Sequence, residues 1–427
     1  MIDEAPQRLG EIAVDRLSRH LVRGASALAS VLLLAACSGT APDELAATGP
    51  LVFTGARVIV GDGGVIENGT FSLTDGRFTG VGASADSRIP SDARVIDLSG
   101  MTVMPTLIDT HVHMSTAREA LIDDLRLRAQ QGIGAAMSLG SDGLDAPLDL
   151  RDESLPGIAR YRTAGRGITA PEPGRTEVPH WVTTTEAARQ AVRDEAARGV
   201  DIVKIWVDDR DGQYEKLSPE LYAAVIDEAH THDLKVTAHI FALEDAKGLL
   251  RAGIDAFAHG VRDQDIDDEF LDLVRERPDV VLVPNLPARG VPTDLSWLEG
   301  TLGAEQFAQL QTGNVVRPDA ERAFGIQARN LARLSEAGMK IAFGTDGNTF
   351  WAPHVELEDM VAAGLSEADA IVAATRNSAE LMALDDAGTI ATGKRADFVV
   401  LSGNPLEDIT STRRIVDVYL AGEIVER

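Results

Sequence analysis

Between Thr102 and Thr345 the chain alternates apolar runs with stretches in which apolar residues recur every three or four positions. The runs cover residues 102–113, 134–139, 159–168, 201–207, 235–240, 256–259, 280–285 and 340–345. Continuous apolar runs read as strands buried on both faces, the pattern of a parallel sheet covered by helices. Several intervening stretches carry helix start signals. Thr183-Thr-Thr-Glu186 reads as a capping box before a helix over 187–198 that stops at Gly199. Ser218-Pro219-Glu220 places an N-cap and a first-turn proline, after which Leu221, Val225 and Ala229 share a face. Residues 141–158 lack a helical period and read as loop. Eight strands alternating with helices over about 245 residues predict an α/β fold, a TIM-like (β/α)8 barrel. Its reactive residues belong at the carboxyl ends of the strands.

The flanks have another texture. Residues 51–102 hold short alternating strands separated by Gly and Asp-Gly turns, as at Asp75-Gly76. The same texture returns at 396–401 and 415–425. Two separated β segments with open edges need partners. They predict one small β-sandwich domain from 51–102 and 388–427, beside a barrel over 103–387.

Residues 24–36 carry no charge and follow Arg16, Arg19 and Arg23. This core falls short of the roughly 20 residues that span a bilayer, and fits a signal peptide. It ends in Leu34-Ala35-Ala36-Cys37-Ser38, which resembles the lipobox of bacterial lipoproteins, and Cys37 is the only cysteine. The expectation is a signal peptide over 1–37, lipidation at Cys37 and a tether over 38–50. The mature protein would then sit on the periplasmic face of a bacterial membrane, held by acyl chains. Asp3, Glu4, Glu11 and Asp15 are foreign to a signal n-region, so translation is expected to begin nearer Val14.

Lys+Arg is 40 against Asp+Glu 67, a net charge of −27. That charge opposes binding to nucleic acid or to anionic lipid through the folded surface. Hydrophobic residues at 44% exclude whole-chain disorder. A single cysteine excludes an internal disulfide and a thiolate-rich metal site. No glycine-rich phosphate loop and no Ser or Cys nucleophile elbow occurs in the sequence.

Six residues fall at or near the predicted strand ends. His111 and His113 close the first run, and a spacing of two on a strand puts both imidazoles on one face. Lys204 lies in the fourth run, His239 ends the fifth, His259 the sixth, and Asp346 follows the eighth. Four imidazoles and a carboxylate converging without thiolates suit zinc or a similar divalent ion, with one position open for water. Such ions acidify a water and polarise a carbonyl, and Asp346 would serve as general base and then acid.

These motifs resemble the amidohydrolase superfamily, in its imidazolonepropionase-like branch with prolidase-like carboxypeptidases and ochratoxin-hydrolysing amidases. The resemblance runs over 51–427. It rests on Pro105-Thr-Leu-Ile-Asp-Thr-His-Val-His113, Val203-Lys-Ile-Trp-Val-Asp-Asp209, Thr237-Ala-His239, Phe257-Ala-His-Gly260 and Gly344-Thr-Asp-Gly347. Ala374-Thr-Arg-Asn-Ser-Ala379 and Gly393-Lys-Arg-Ala-Asp-Phe398 add to it. It implies two divalent ions, with His111, His113 and Asp346 on one and His239 and His259 on the other. It also implies a carboxylated Lys204 as the bridge. An unmodified ammonium cannot ligate a cation, whereas a carbamate supplies an oxygen anion. A mononuclear centre lacking the bridging lysine is the competing arrangement.

The implied activity is hydrolysis of an amide or peptide C–N bond in a small N-acyl amino acid or dipeptide-like substrate. A lactonase, a deaminase or a catalytically silent solute-binding lipoprotein are the alternatives, and homo-oligomerisation stays open. Loops after the strands supply the expected substrate contacts: His180, Arg210, Tyr214, Arg262, Asn285 and His354. Arg210 and Arg262 are fit to clamp a carboxylate, and Tyr214 or His180 to donate to the carbonyl oxygen. The prolidase-like relatives carry a glycine- and serine-rich loop after the fourth strand. Here that loop is Asp208-Asp-Arg-Asp-Gly212, so carboxypeptidase specificity does not carry over.

Overall fold

The computed structural model describes residues 49–427. The proposed signal segment, Cys37 and all but the last two residues of the tether lie outside the described residues. Among the described residues no helix is long and apolar enough to cross a membrane.

The fold is α/β with parallel sheets. One sheet pairs Leu107–Val112, Ile133–Ser138 and Arg160–Thr163. A second runs His180–Trp181, Ile168–Thr169, Val203–Trp206, Val236–His239, Ala256–Ala258, Val281–Val283 and Lys340–Ile341. Leu107–Val112 and Ile133–Ser138 are buried at every position, which is why both are mainly apolar, with Asp109, Thr110 and His111 the polar exceptions of the first. Backbone bonds link the two sheets at both ends. Thr110 N donates to Phe343 O at 2.9 Å, and Asp201 N donates to Thr163 O at 2.9 Å.

Two expected strands are split. Residues 102–113 divide at Thr106: Thr102–Pro105 joins the flank sheet and Leu107–Val112 the parallel one. Residues 159–168 break around Gly165, whose φ of 59° lies in the left-handed region. The helix expected at 187–198 begins slightly earlier, as Thr185–Arg198. Thr184 Oγ1 accepts from Ala187 N at 3.2 Å, and Gly199 ends the helix with φ 75°. Residues 141–158 are loop apart from a 3-10 turn at Leu148–Asp152.

The flank strands form one hydrogen-bonded sheet of eight strands rather than two separately bonded layers. The reason lies in Leu51–Ile59, which changes partner along its length. Leu51 to Thr54 pair with Arg94–Asp97, whereas Arg57 and Val58 pair with Thr102 and Val103. Phe398–Leu401 then pairs with Thr102–Pro105, tying the two ends of the chain together. Phe53 stacks on Phe71 at 4.8 Å, Phe398 on Tyr419 at 4.5 Å, and Phe53 meets Phe398 edge-on at 5.4 Å. One aromatic core therefore draws on both flanks.

Candidate metal centre

The strand ends bring the titratable groups together. His111 lies in Leu107–Val112, and His113 just past its end. Their rings are 5.3 Å apart, as are those of His111 and His259, while His239 and His259 are 4.6 Å apart. Asp346 Oδ1 lies 3.2 Å from His111 Nε2 and 3.1 Å from His113 Nε2, and Oδ2 lies 3.5 Å from His259 Nε2. One ligand atom from each of His111, His113 and Asp346 fits within 4.8 Å of the others.

The backbone is bent to achieve this. His259, Asn285, Asp346 and Arg210 take φ of 73°, 41°, 53° and 53°. Left-handed non-glycine residues each cost on the order of 1–3 kcal/mol and cluster where a site over-determines them. Gly344 shows why the approach is so close: a Cβ there would meet His111 Cβ at 2.8 Å. Gly140 and Gly167 leave room for Trp206, which packs beside Lys204.

The hydrogen bonds fix the tautomer of His111. Asn285 Oδ1 accepts from His259 N at 3.2 Å, so that atom is the oxygen. His111 Nδ1, at 2.9 Å, must then donate to it. In the neutral ring Nε2 carries a lone pair, and it faces a carboxylate oxygen with no hydrogen-bond partner. Two acceptors held together call for a cation between them. His239 Nε2 similarly meets Asp208 Oδ2 at 3.1 Å, which leaves its Nδ1 free to ligate. The nitrogens of His259 and the Lys204 Nζ are buried without hydrogen-bond partners. This donor set fits divalent ions.

Protonation agrees. Burial lowers His111 to about 4 and His239 to about 3, and drives His259 well below the usual imidazole value. Burial alone would raise Asp346, but its surroundings, with His113 Nε2 hydrogen-bonded to Oδ1 at 3.1 Å, hold it well below the ordinary carboxylate value. Lys204 is fully buried, and burial lowers it to about 7 despite the attraction of Asp346.

The residues expected to touch substrate are placed differently from one another. Asn285 is a buried support for His111 and His259. Arg210 Nε bonds Glu172 at 3.0 Å and Nη1 bonds Asp208 at 2.7 Å, so two buried or partly buried carboxylates already hold the expected clamp. Tyr214 donates to Pro173 O at 3.3 Å, joining two loops. His180 Nε2 pairs with buried Glu195 at 2.8 Å. Arg262 lies 3.2 Å over the Phe241 ring, which in turn meets His239 at 4.4 Å. His354 is buried, bonds Thr412 at 3.1 Å, meets the Trp297 ring edge-on at 5.8 Å and lines a small cavity with Leu107 and Gly132.

Asp109, Arg128, Asp208 and Glu172 are site-supporting residues that sequence reasoning passed over. Asp109, the one carboxylate in the run at 102–113, was the available signal.

The arrangement is that of a metal-dependent hydrolase built on parallel strands. The family model for "Amidohydrolase family" matches residues 102–425, and the chain belongs to that family. It is a metal-dependent amidohydrolase, acting on C–N bonds. Imidazolonepropionase of Deinococcus radiodurans is 25% identical over 386 residues, covering 85% of this chain and 93% of the relative. Enamidase of Eubacterium barkeri is 26% identical over 372 residues, covering 82% and 87%. A Bifidobacterium longum structure provisionally described as a prolidase is 29% identical, with a TM-score of 0.74 over 88% of this chain and 95% of that one. Such fold neighbours imply a (β/α)8 barrel.

Proposed function

We propose that the protein hydrolyses the amide or peptide bond of a small N-acyl amino acid or dipeptide-like substrate, at two divalent ions held in the mouth of a closed (β/α)8 barrel. Backbone bonds joining both ends of the two parallel sheets support closure. The shared aromatic core supports a separate small β domain made of both flanks. The observation that carries the reading is the contact of His111 Nε2 with Asp346 Oδ1, two acceptors that need a cation.

His111, His113 and Asp346 would hold one ion and His239 and His259 the other, with zinc the expected metal, and Lys204, carboxylated, would supply an oxygen ligand to both. Its amine is about half uncharged at neutral pH and more so above it, because burial lowers it to about 7. The Nζ lone pair forms a bond to the carbon of carbon dioxide and releases one proton to solvent. When bound, the ions supply Lewis acidity for the carbonyl oxygen and lower the pKa of water. Asp346 takes the proton of the attacking water as its oxygen bonds the carbonyl carbon. It returns that proton to the nitrogen as the C–N bond breaks. Asn285 and Asp208 hold the imidazoles of His111 and His239 in the ligating tautomer.

The protein is further proposed to be exported and anchored through Cys37, a reading supported by the apolar core and lipobox-like sequence at 24–38. The functional test is turnover of N-acyl amino acids and dipeptides after chelation and again after zinc is restored. Loss and recovery of amide cleavage is the expected result. Turnover confined to lactones or amino-heterocycles, or none with metal bound, would overturn the substrate reading.

A further inference from the structure

We infer that Asp109 and Arg128 are positioning residues that lock the His111–His113 strand end to the turn carrying Asp346, and so assemble one ligand set from two distant strands. The inference rests on the reading that those three side chains hold a metal ion.

Asp109 and Arg128 are both completely buried. Asp109 Oδ1 accepts from the backbone N of His111 at 3.3 Å and of Thr345 at 3.1 Å. Its Oδ2 accepts from Thr345 Oγ1 at 2.8 Å and from Arg128 Nη1 at 3.3 Å. One carboxylate thus touches the residue that ligates on the first strand and the residue before the ligand on the last. Arg128 reaches in from helix Arg118–Gln130. Its Nη2 donates to Gly347 O at 3.1 Å and approaches Asn348 Oδ1 at 3.5 Å. Gly347 O also accepts from His113 N at 3.3 Å. The guanidinium therefore spans Asp109 before the two histidines and Gly347 after Asp346.

A buried ion pair is a poor source of stability, since apolar residues of equal volume commonly serve as well or better. The geometry of this pair explains its presence in another way. A planar fork serves two separated acceptors at once in fixed directions, which a flexible ammonium does not. The ligand atoms of His111, His113 and Asp346 need placement within a few tenths of an ångström for a small cation. Short strands alone do not supply it: Leu107–Val112 has irregular pairing on its other side, with register shifts between Leu107 and Ile108 and between Asp109 and Val112. The Asp109–Arg128 staple fixes the register that this ladder leaves loose.

The test uses the full chain, stripped of metal and titrated with cobalt(II) against a competing chelator. Folding is followed by circular dichroism. Arg128→Lys keeps a charge near Asp109 but serves one acceptor. Asp109→Asn with Arg128→Met removes both charges, so no lone buried ion is left to unfold the protein. Both variants are expected to fold, to bind cobalt roughly 10- to 100-fold more weakly and to show a shifted cobalt absorption spectrum. A folded double variant with wild-type affinity and spectrum would overturn the inference while leaving the metal reading intact. A wild-type chain that takes up no cobalt would overturn the metal reading, and the inference with it.

Discussion

Asn285 Oδ1 accepts the Nδ1 hydrogen of His111 at 2.9 Å. The same oxygen takes the His259 backbone N–H, so one amide holds the ring of His111 and the backbone of His259, both proposed ligands. Asn285→Leu removes the acceptor at similar volume and frees His111 to change tautomer. Metal affinity is expected to fall roughly 10- to 100-fold, with Asn285→Asp retaining more of it. Chelator competition reads both.

Arg210 separates two accounts of the substrate loop. Tied to Glu172 and to Asp208, which itself bonds His239, Arg210 is proposed to act through His239 and not on a substrate carboxylate. Arg210→Met is therefore expected to lower kcat/KM for an N-acyl amino acid and for its carboxamide by the same factor. A direct clamp would penalise the carboxylate alone by about 1.5–3 kcal/mol, more than tenfold. The ratio of the two kcat/KM values decides.

His354 links stability to pH away from the metal ligands. Burial, helped by the nearby Arg413, lowers it to about 3 from 6.5. The unfolded chain thus binds a proton below pH 6.5 that the folded chain cannot. Its contribution is complete above pH 7 and declines as the pH falls through 6.5 toward 3. By pH 5 about 2 kcal/mol is lost. Unfolding free energies of the metal-free protein between pH 7.5 and 5 are expected to fall less steeply in His354→Gln.

Lys204→Ala removes the proposed bridge. Activity is expected to drop by several orders of magnitude, and millimolar short carboxylic acids are expected to restore part of it. An unaffected variant would remove the carbamate from the mechanism.

The sequence carried the parallel strands and the cluster of histidines with Asp346 because both obey local rules. Buried strands are mainly apolar, and His-x-His, His239 and His259 sit where such runs stop. What it did not carry depends on tertiary approach. The split at Thr106 arises because Phe398–Leu401 pairs with Thr102–Pro105 from across the chain. The Arg210 pairing needs Glu172, 38 residues earlier. The bond between His354 and Thr412 likewise joins residues 58 positions apart. Arg128 looked like one helix arginine among several, and only burial singles it out.

The most direct measurement is the number of divalent ions per chain in protein isolated without added chelator, set beside the same count for Lys204→Ala. The account gives two for the native chain and fewer for the variant. A native chain with no stoichiometric metal, although correctly folded, would contradict it.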